Sequence, residues 1–247
     1  MFTRFGWHFI QSKKVFKPSI MKKIFLAIAL IAFVAIAPAQ KLNKVTIARD
    51  GSFESFSFLT EDNVTLTMTA DGNITAWGVE VYSDRVSTYS RLDAYAGRVE
   101  YYTTYDNEAF RGKVKYIGKT LITYYASYDN ETLRGKVKSI GSRNFEYYTA
   151  FDSPVLSGKM KKSGSLNIDW YSSFDNEALR GKLRIVGSTT LNYYSSFDDK
   201  AFKGRIKSID RASFTYYSST EQKEYQGAVK TGSQLQTING VQYYVKF

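Results

Sequence analysis

A 23-residue period runs through this chain six times without an insertion, and it constrains the fold more than any other feature. Each copy opens on an aromatic pair: Tyr101-Tyr102, Tyr124-Tyr125, Tyr147-Tyr148, Trp170-Tyr171, Tyr193-Tyr194 and Tyr216-Tyr217. A glycine follows the first ring by eleven residues every time: Gly112, Gly135, Gly158, Gly181, Gly204 and Gly227. An unbroken period of this length makes each copy one supersecondary unit. Such a unit is too small to bury its apolar face alone, so neighbours must stack.

Within a copy the apolar residues alternate. In the fourth, Ile168, Trp170, Ser172 and Phe174 fall on one side of an extended segment, and Leu179, Gly181 and Leu183 on one side of the next. A period of two indicates strand, turn, strand. Asp175-Asn176-Glu177-Ala178 between them is turn chemistry, because Asp and Asn side chains bond their own backbone. With Asn176-Glu177 as the turn, Phe174 faces Leu179, Ser172 faces Gly181 and Trp170 faces Leu183. The return connection, Val186-Gly187-Ser188-Thr189-Thr190, is either a five-residue loop that keeps the faces in phase or a four-residue loop with a bulge near Ile185 or Val186. The in-phase register carries no stagger, and a closed barrel requires one. The expected fold is all-β: an antiparallel β-meander of 23-residue hairpin repeats forming an elongated, twisted, open sheet.

The repeats occupy residues 101–238, and residues 239–247 read as a C-terminal strand. Residues 40–100 read as an N-terminal β capping region, with Asp50-Gly51 and Asp71-Gly72 each placed between alternating segments as hairpin turns. The segment Val86–Asp93 looks like the first strand of a further, degraded repeat. Residues 1–39 contain Met21-Lys22-Lys23, an apolar run over Ile24–Ile36 and Ala37-Pro38-Ala39. That order reads as a secretory signal peptide cleaved before Gln40, with the true start at Met21. The apolar run, about 13 residues, is short of the roughly 20 that a spanning helix needs.

Removal of residues 1–39 takes away six of the 34 basic residues and no acid, leaving 28 against 23 acidic residues and a net charge of +5. An excess this mild argues against nucleic acid as a partner. The remaining chain has no cysteine and no histidine, since the one histidine is His8. Ser-His-Asp triads, cysteine nucleophiles and histidine or cysteine zinc sites are therefore excluded, and stability must come without disulfides. A regular array also offers no residue that stands apart from its copies around a cleft. The chain reads as a non-enzyme, with no catalytic residues, no metal site and no cofactor.

Tyr193, Ser195, Phe197 and Gly204 lie at positions 1, 3, 5 and 12 of their copy. In this phase the repeat resembles the membrane occupation and recognition nexus (MORN) repeat, and Ser195, Lys200 and Ile206 stand where that family usually has glycine. The resemblance covers residues 101–238 and implies an elongated single-layer sheet with lipid or protein partners.

Two surfaces are candidates for function. Tyr102, Tyr125, Tyr148, Tyr171, Tyr194 and Tyr217 should form an outward ladder, with Lys113, Lys136, Lys159, Lys182 and Arg205 lying across from five of them. At two strands per step the rings would stand about 9.5 Å apart. Such a ladder could stack sugars or bind an acidic polymer. Equally, the rings could cover lysine stems and support cross-strand pairs. The inward row is Tyr101, Tyr105, Phe110 and Val114 with their equivalents, too large an apolar face to stand open. The N-terminal strands, a second copy or lipid must cover it, and burial by protein is the expectation. The recurring Asp106-Asn107-Glu108 type of triplet admits a stacked calcium reading, but turn residues suit it better.

The sequence thus reads as an exported, non-enzymatic scaffold or binding surface in the periplasm, at the cell surface or at the outer membrane of a bacterium. Its expected partners are protein, including itself, through the aromatic face, or a glycan or acidic cell-surface polymer. Membrane association is left open. The alternative is an outer-membrane β-barrel, suggested by Phe247 at the end of an alternating strand.

Overall fold

The structure, a computed structural model, describes residues 40–82 and 90–247. The signal peptide, its cleavage site, the start at Met21 and part of the expected strand from Val86 lie outside the described residues. The chain is all-β, with two large sheets packed face to face. One contains the repeats: β6 (Val99–Tyr101), β7 (Val114–Ile117), β8 (Thr120–Tyr124), β9 (Val137–Ile140), β10 (Arg143–Tyr147), β11 (Met160–Ser163), β12 (Leu166–Trp170), β13 (Leu183–Val186), β14 (Thr189–Tyr193), β15 (Ile206–Ile209) and β16 (Ala212–Ser213). These eleven strands pair in sequence order as an open antiparallel meander. A short pair, β17 (Thr215–Tyr216) with β18 (Val229–Thr231), completes the sixth copy.

Both ends of the described chain build the second sheet. It comprises β1 (Lys41–Ile47), β2 (Phe53–Leu59), β3 (Thr65–Met68), β4 (Ile74–Tyr82), β5 (Ser90–Asp93), β19 (Leu235–Ile238) and β20 (Val241–Val245), in the order β19-β20-β1-β2-β3-β4-β5. All its pairs are antiparallel except β1 with β20. Residues 235–238, expected to close the sixth repeat, instead form a hairpin with β20 through Asn239-Gly240, both at positive φ.

This second sheet covers the aromatic face. Phe53 and Phe56 meet the Trp170 ring edge-on at 5.1 and 6.2 Å, and Phe58 meets Phe145 at 5.1 Å. Of the three covers the sequence allowed, the N-terminal strands are the one observed, joined by the C-terminal hairpin. They lie over the face of the array rather than beyond its end. The Asp71-Gly72 turn docks through backbone bonds, Val137 N–H to the Gly72 carbonyl and Met160 N–H to the Ala70 carbonyl, at 3.0 and 2.7 Å. At Gly51 an added Cβ would stand 2.2 Å from the Gly204 carbonyl oxygen, so only glycine lets that turn seat on the fifth copy.

Inside a repeat, Trp170 pairs with Leu183, the expected register at that point. Beyond it the expectation fails in both directions. The tight turn is Gly187-Ser188, with Val186 opposite Thr189, and it is shorter than either length considered. The lost phase is recovered by a bulge at Arg184, since Asp169 pairs with Ile185 while Trp170 pairs with Leu183. The Asp175-Asn176-Glu177 side is no two-residue turn but a loop, closed by Tyr171 N–H to the Lys182 carbonyl and Gly181 N–H to the Tyr171 carbonyl. Phe174 therefore never pairs with Leu179. It is 95% exposed, as are its equivalents Tyr105, Tyr128, Phe151 and Phe197 at 86–99%, so fifth-position rings expected inside stand outside. Tyr101, also expected inside, is half exposed because the first copy lies at the end of the array; Phe110 is partly buried, like its equivalents Leu133 and Phe202, and Val114 is buried.

Candidate functional site

The bulge recurs at the same place in every copy and decides where the candidate side chains go. Its extra residue is Lys115, Lys138, Lys161, Arg184, Lys207 or Lys230, always a cation. Each of these six lies over the outer tyrosine of its own copy, with 5.2–5.6 Å to the ring centroid. These cations were not among the expected site residues. The signal that could have found them is a basic residue fourteen positions after each opening ring.

The outer tyrosines are not a free ladder. Tyr102, Tyr125, Tyr171 and Tyr194 donate their hydroxyls to the carbonyls of Ile122, Phe145, Leu191 and Phe214, two residues before the ring that opens the next copy, at 2.8–3.2 Å. Tyr148 donates to the Asp169 carboxylate at 3.2 Å. Tyr217, in the last copy, packs against Tyr225 with centroids 5.6 Å apart. Burial pushes the phenols of Tyr102, Tyr125, Tyr171 and Tyr194 up, and Tyr148, with Asp169 added, is pushed up to about 12.

Lys113, Lys136, Lys159, Lys182 and Arg205 do lie across the backbone from those tyrosines, but their heads turn to the inner ring of the following copy. They sit over Tyr124, Tyr147, Trp170, Tyr193 and Tyr216 at 4.6–5.8 Å. Lys113, Lys159 and Arg205 donate to the carbonyls of Gly135, Gly181 and Gly227. Lys136 and Lys182 donate instead to the backbone carbonyls of Asp71 and Asp50 in the covering turns, each at 3.0 Å. Partial burial lowers the pKa of all five cations. The structure brings the expected tyrosines and cations together as the joints between copies.

What remains open is the loop row. In the fourth copy Asp175 accepts from the Ser172 backbone N–H and hydroxyl at 2.6 and 2.8 Å, which folds the loop so that Phe174 stands at its apex. The same acid pins its loop at Thr103, Ala126, Thr149, Ser195 and, as Glu221, at Ser218. These bonds hold the Asp106, Asp198 and Glu221 carboxyls below the usual range. Successive loops are also tied together. Asn107 exchanges two bonds with Ser127, and Asn176 two with Ser196, all at 2.8–3.0 Å, and Asp199 accepts two from Ser219. The acids and amides serve as turn and ladder residues. Five aromatic rings are thereby held at one edge of the array, one in each of the first five copies, on loops that brace one another.

The outer face of the covering sheet forms a polar groove of about 230 Å³ between Lys44, Glu54, Glu80 and Lys246. Its charges are paired, Lys44 with Glu80 and Lys246 with Glu54.

No protein-family model, curated protein or solved structure matches this chain. The fold defines a two-sheet all-β protein built on hairpin repeats, and the functional reading rests on the residues themselves.

Proposed function

We propose that the chain is an exported, non-enzymatic repeat protein that acts as a scaffold or binding surface at a bacterial cell envelope, and that its contact surface is the loop row. The observation that carries this reading is the exposure of Tyr105, Tyr128, Phe151, Phe174 and Phe197, one large ring in each of the first five copies at 86–99%. Exposed apolar residues scattered singly need no explanation; these five recur at the same loop position along one edge of the array. The loops that present them are fixed by hydrogen bonds, so binding costs little ordering entropy. The outer tyrosines and their cations, by contrast, are engaged within the array.

Phe151→Ser, Phe174→Ser and Phe197→Ser together should leave the melting temperature unchanged and release the protein from the cell-envelope fraction of an expressing bacterium. Retention equal to that of the unaltered chain, with folding intact, would refute the loop row as the contact surface.

A further inference from the structure

The loop rings have two open faces. At 86–99% exposure a ring touches almost nothing of its own chain. A platform for a flat ligand lays its rings against a wall and offers one face; rings that project freely suit a partner that reaches between them. We infer that this partner is a second copy of the chain, joined as an antiparallel dimer in which the two loop rows interleave. The inference rests on reading the loop row as the contact surface.

The spacing fits. Copies recur every two strands, so the rings stand about 9.5 Å apart. A ring inserted midway in each gap lies about 4.8 Å from its neighbours on either side, within the roughly 4.5–7 Å at which aromatic pairs are favourable. Five buried rings account for on the order of 1,000 Å² per copy. A stable interface of standard size needs about 800 Å² per partner. The row stops at the sixth copy, where Thr220 takes the ring's place.

Symmetry sets the direction. Interleaving offsets the two rows by half a step, and a closed two-fold supplies that offset only when the rows run antiparallel.

The test uses the chain expressed with residues 1–39 in place and purified as the cell processes it. Sedimentation equilibrium should give twice the mass of one chain. The triple Phe151→Ser, Phe174→Ser, Phe197→Ser variant should dissociate at least about 100-fold more readily. A chain still monomeric at about 100 µM, or a triple variant that dimerises as tightly as the original, overturns the dimer. Since the chain has no cysteine, Glu108→Cys and Lys200→Cys can each be made singly and mixed. Disulfide between the two variants supports the antiparallel row; disulfide only within each variant overturns it. A monomer whose triple variant loses envelope retention overturns the dimer but keeps the loop row as a surface for another partner. A monomer whose triple variant is retained normally overturns both.

Discussion

Trp170 donates its indole N–H to the Met160 carbonyl at 2.7 Å, beside the bulge at Lys161. Tyr124, Tyr147, Tyr193 and Tyr216 repeat the contact, donating to Val114, Val137, Leu183 and Ile206 at 2.7–3.0 Å. The bulge breaks the ladder at this carbonyl, and a buried ring with a polar tip restores the missing bond. That is why the first position of copies two to six is Tyr or Trp and never Phe. Tyr193→Phe keeps the ring and removes the donor. It should cost about 1–3 kcal/mol in urea unfolding, with an unchanged denaturant slope.

The Gly51 turn depends on glycine in a way that Gly112, in the first copy, does not. Gly112 has φ +73° and nothing within 4 Å of an added Cβ, whereas Gly51 has φ +80° and the Gly204 oxygen at 2.2 Å. Gly112→Ala should cost about 1–2 kcal/mol, the left-handed backbone penalty alone. Gly51→Ala should cost clearly more and expose the aromatic face to a hydrophobic dye. Equal losses would mean that the turn does not seat on the fifth copy.

Stability should fall at high pH. Burial raises the phenols of Tyr102, Tyr125, Tyr171 and Tyr194, and Tyr148 is pushed from 10.0 to about 12. A phenol whose folded value lies above its unfolded value contributes stability that is whole below the unfolded value and lost as the pH climbs through the folded one. Urea midpoints should therefore hold up to about pH 10 and decline toward pH 12, with tyrosinate absorbance rising as the protein unfolds. A midpoint flat across that interval would show the joints to be open to water.

Acid should act on the loops first. The Asp106, Asp198 and Glu221 carboxyls are lowered chiefly by hydrogen bonds to the loop backbone and hydroxyls. A lowered carboxyl contributes stability present above the unfolded value and lost as pH falls through the folded one. Corrected hydrogen exchange at Thr103, Ser195 and Ser218 should thus quicken below about pH 4 while the strand amides stay protected.

The sequence made the repeat, the strand content, the Trp170–Leu183 pairing and the Asp-Gly hairpins legible, because period and turn chemistry act locally. It misled at Phe174. The alternation Trp170, Ser172, Phe174 continues beyond the last paired residue, so a period-two reading runs the strand into the loop and turns the ring inward. The corrective signal is the serine three residues before Asp175, a position held by Ser or Thr in five of the six copies. Asn239-Gly240 is likewise a strong hairpin signal, and it folds residues 235–238 onto β20 where a single terminal strand is the expectation. Which strands would cover the aromatic face is a non-local choice, and no local pattern encodes it. The expected tyrosine ladder failed as a free surface for a related reason: the residue that reaches each ring sits on a bulge, invisible in a strict alternation.

Burial of the aromatic face by the N-terminal strands can be tested at one residue. With Trp7 and Trp77 changed to Phe, Trp170 is the only tryptophan left, 1% exposed beneath Phe53 and Phe56. Its fluorescence should be blue-shifted and resist iodide, and Phe53→Ala with Phe56→Ala should make it quenchable. Ready quenching of Trp170 in the chain that keeps Phe53 and Phe56 would contradict the two-sheet arrangement.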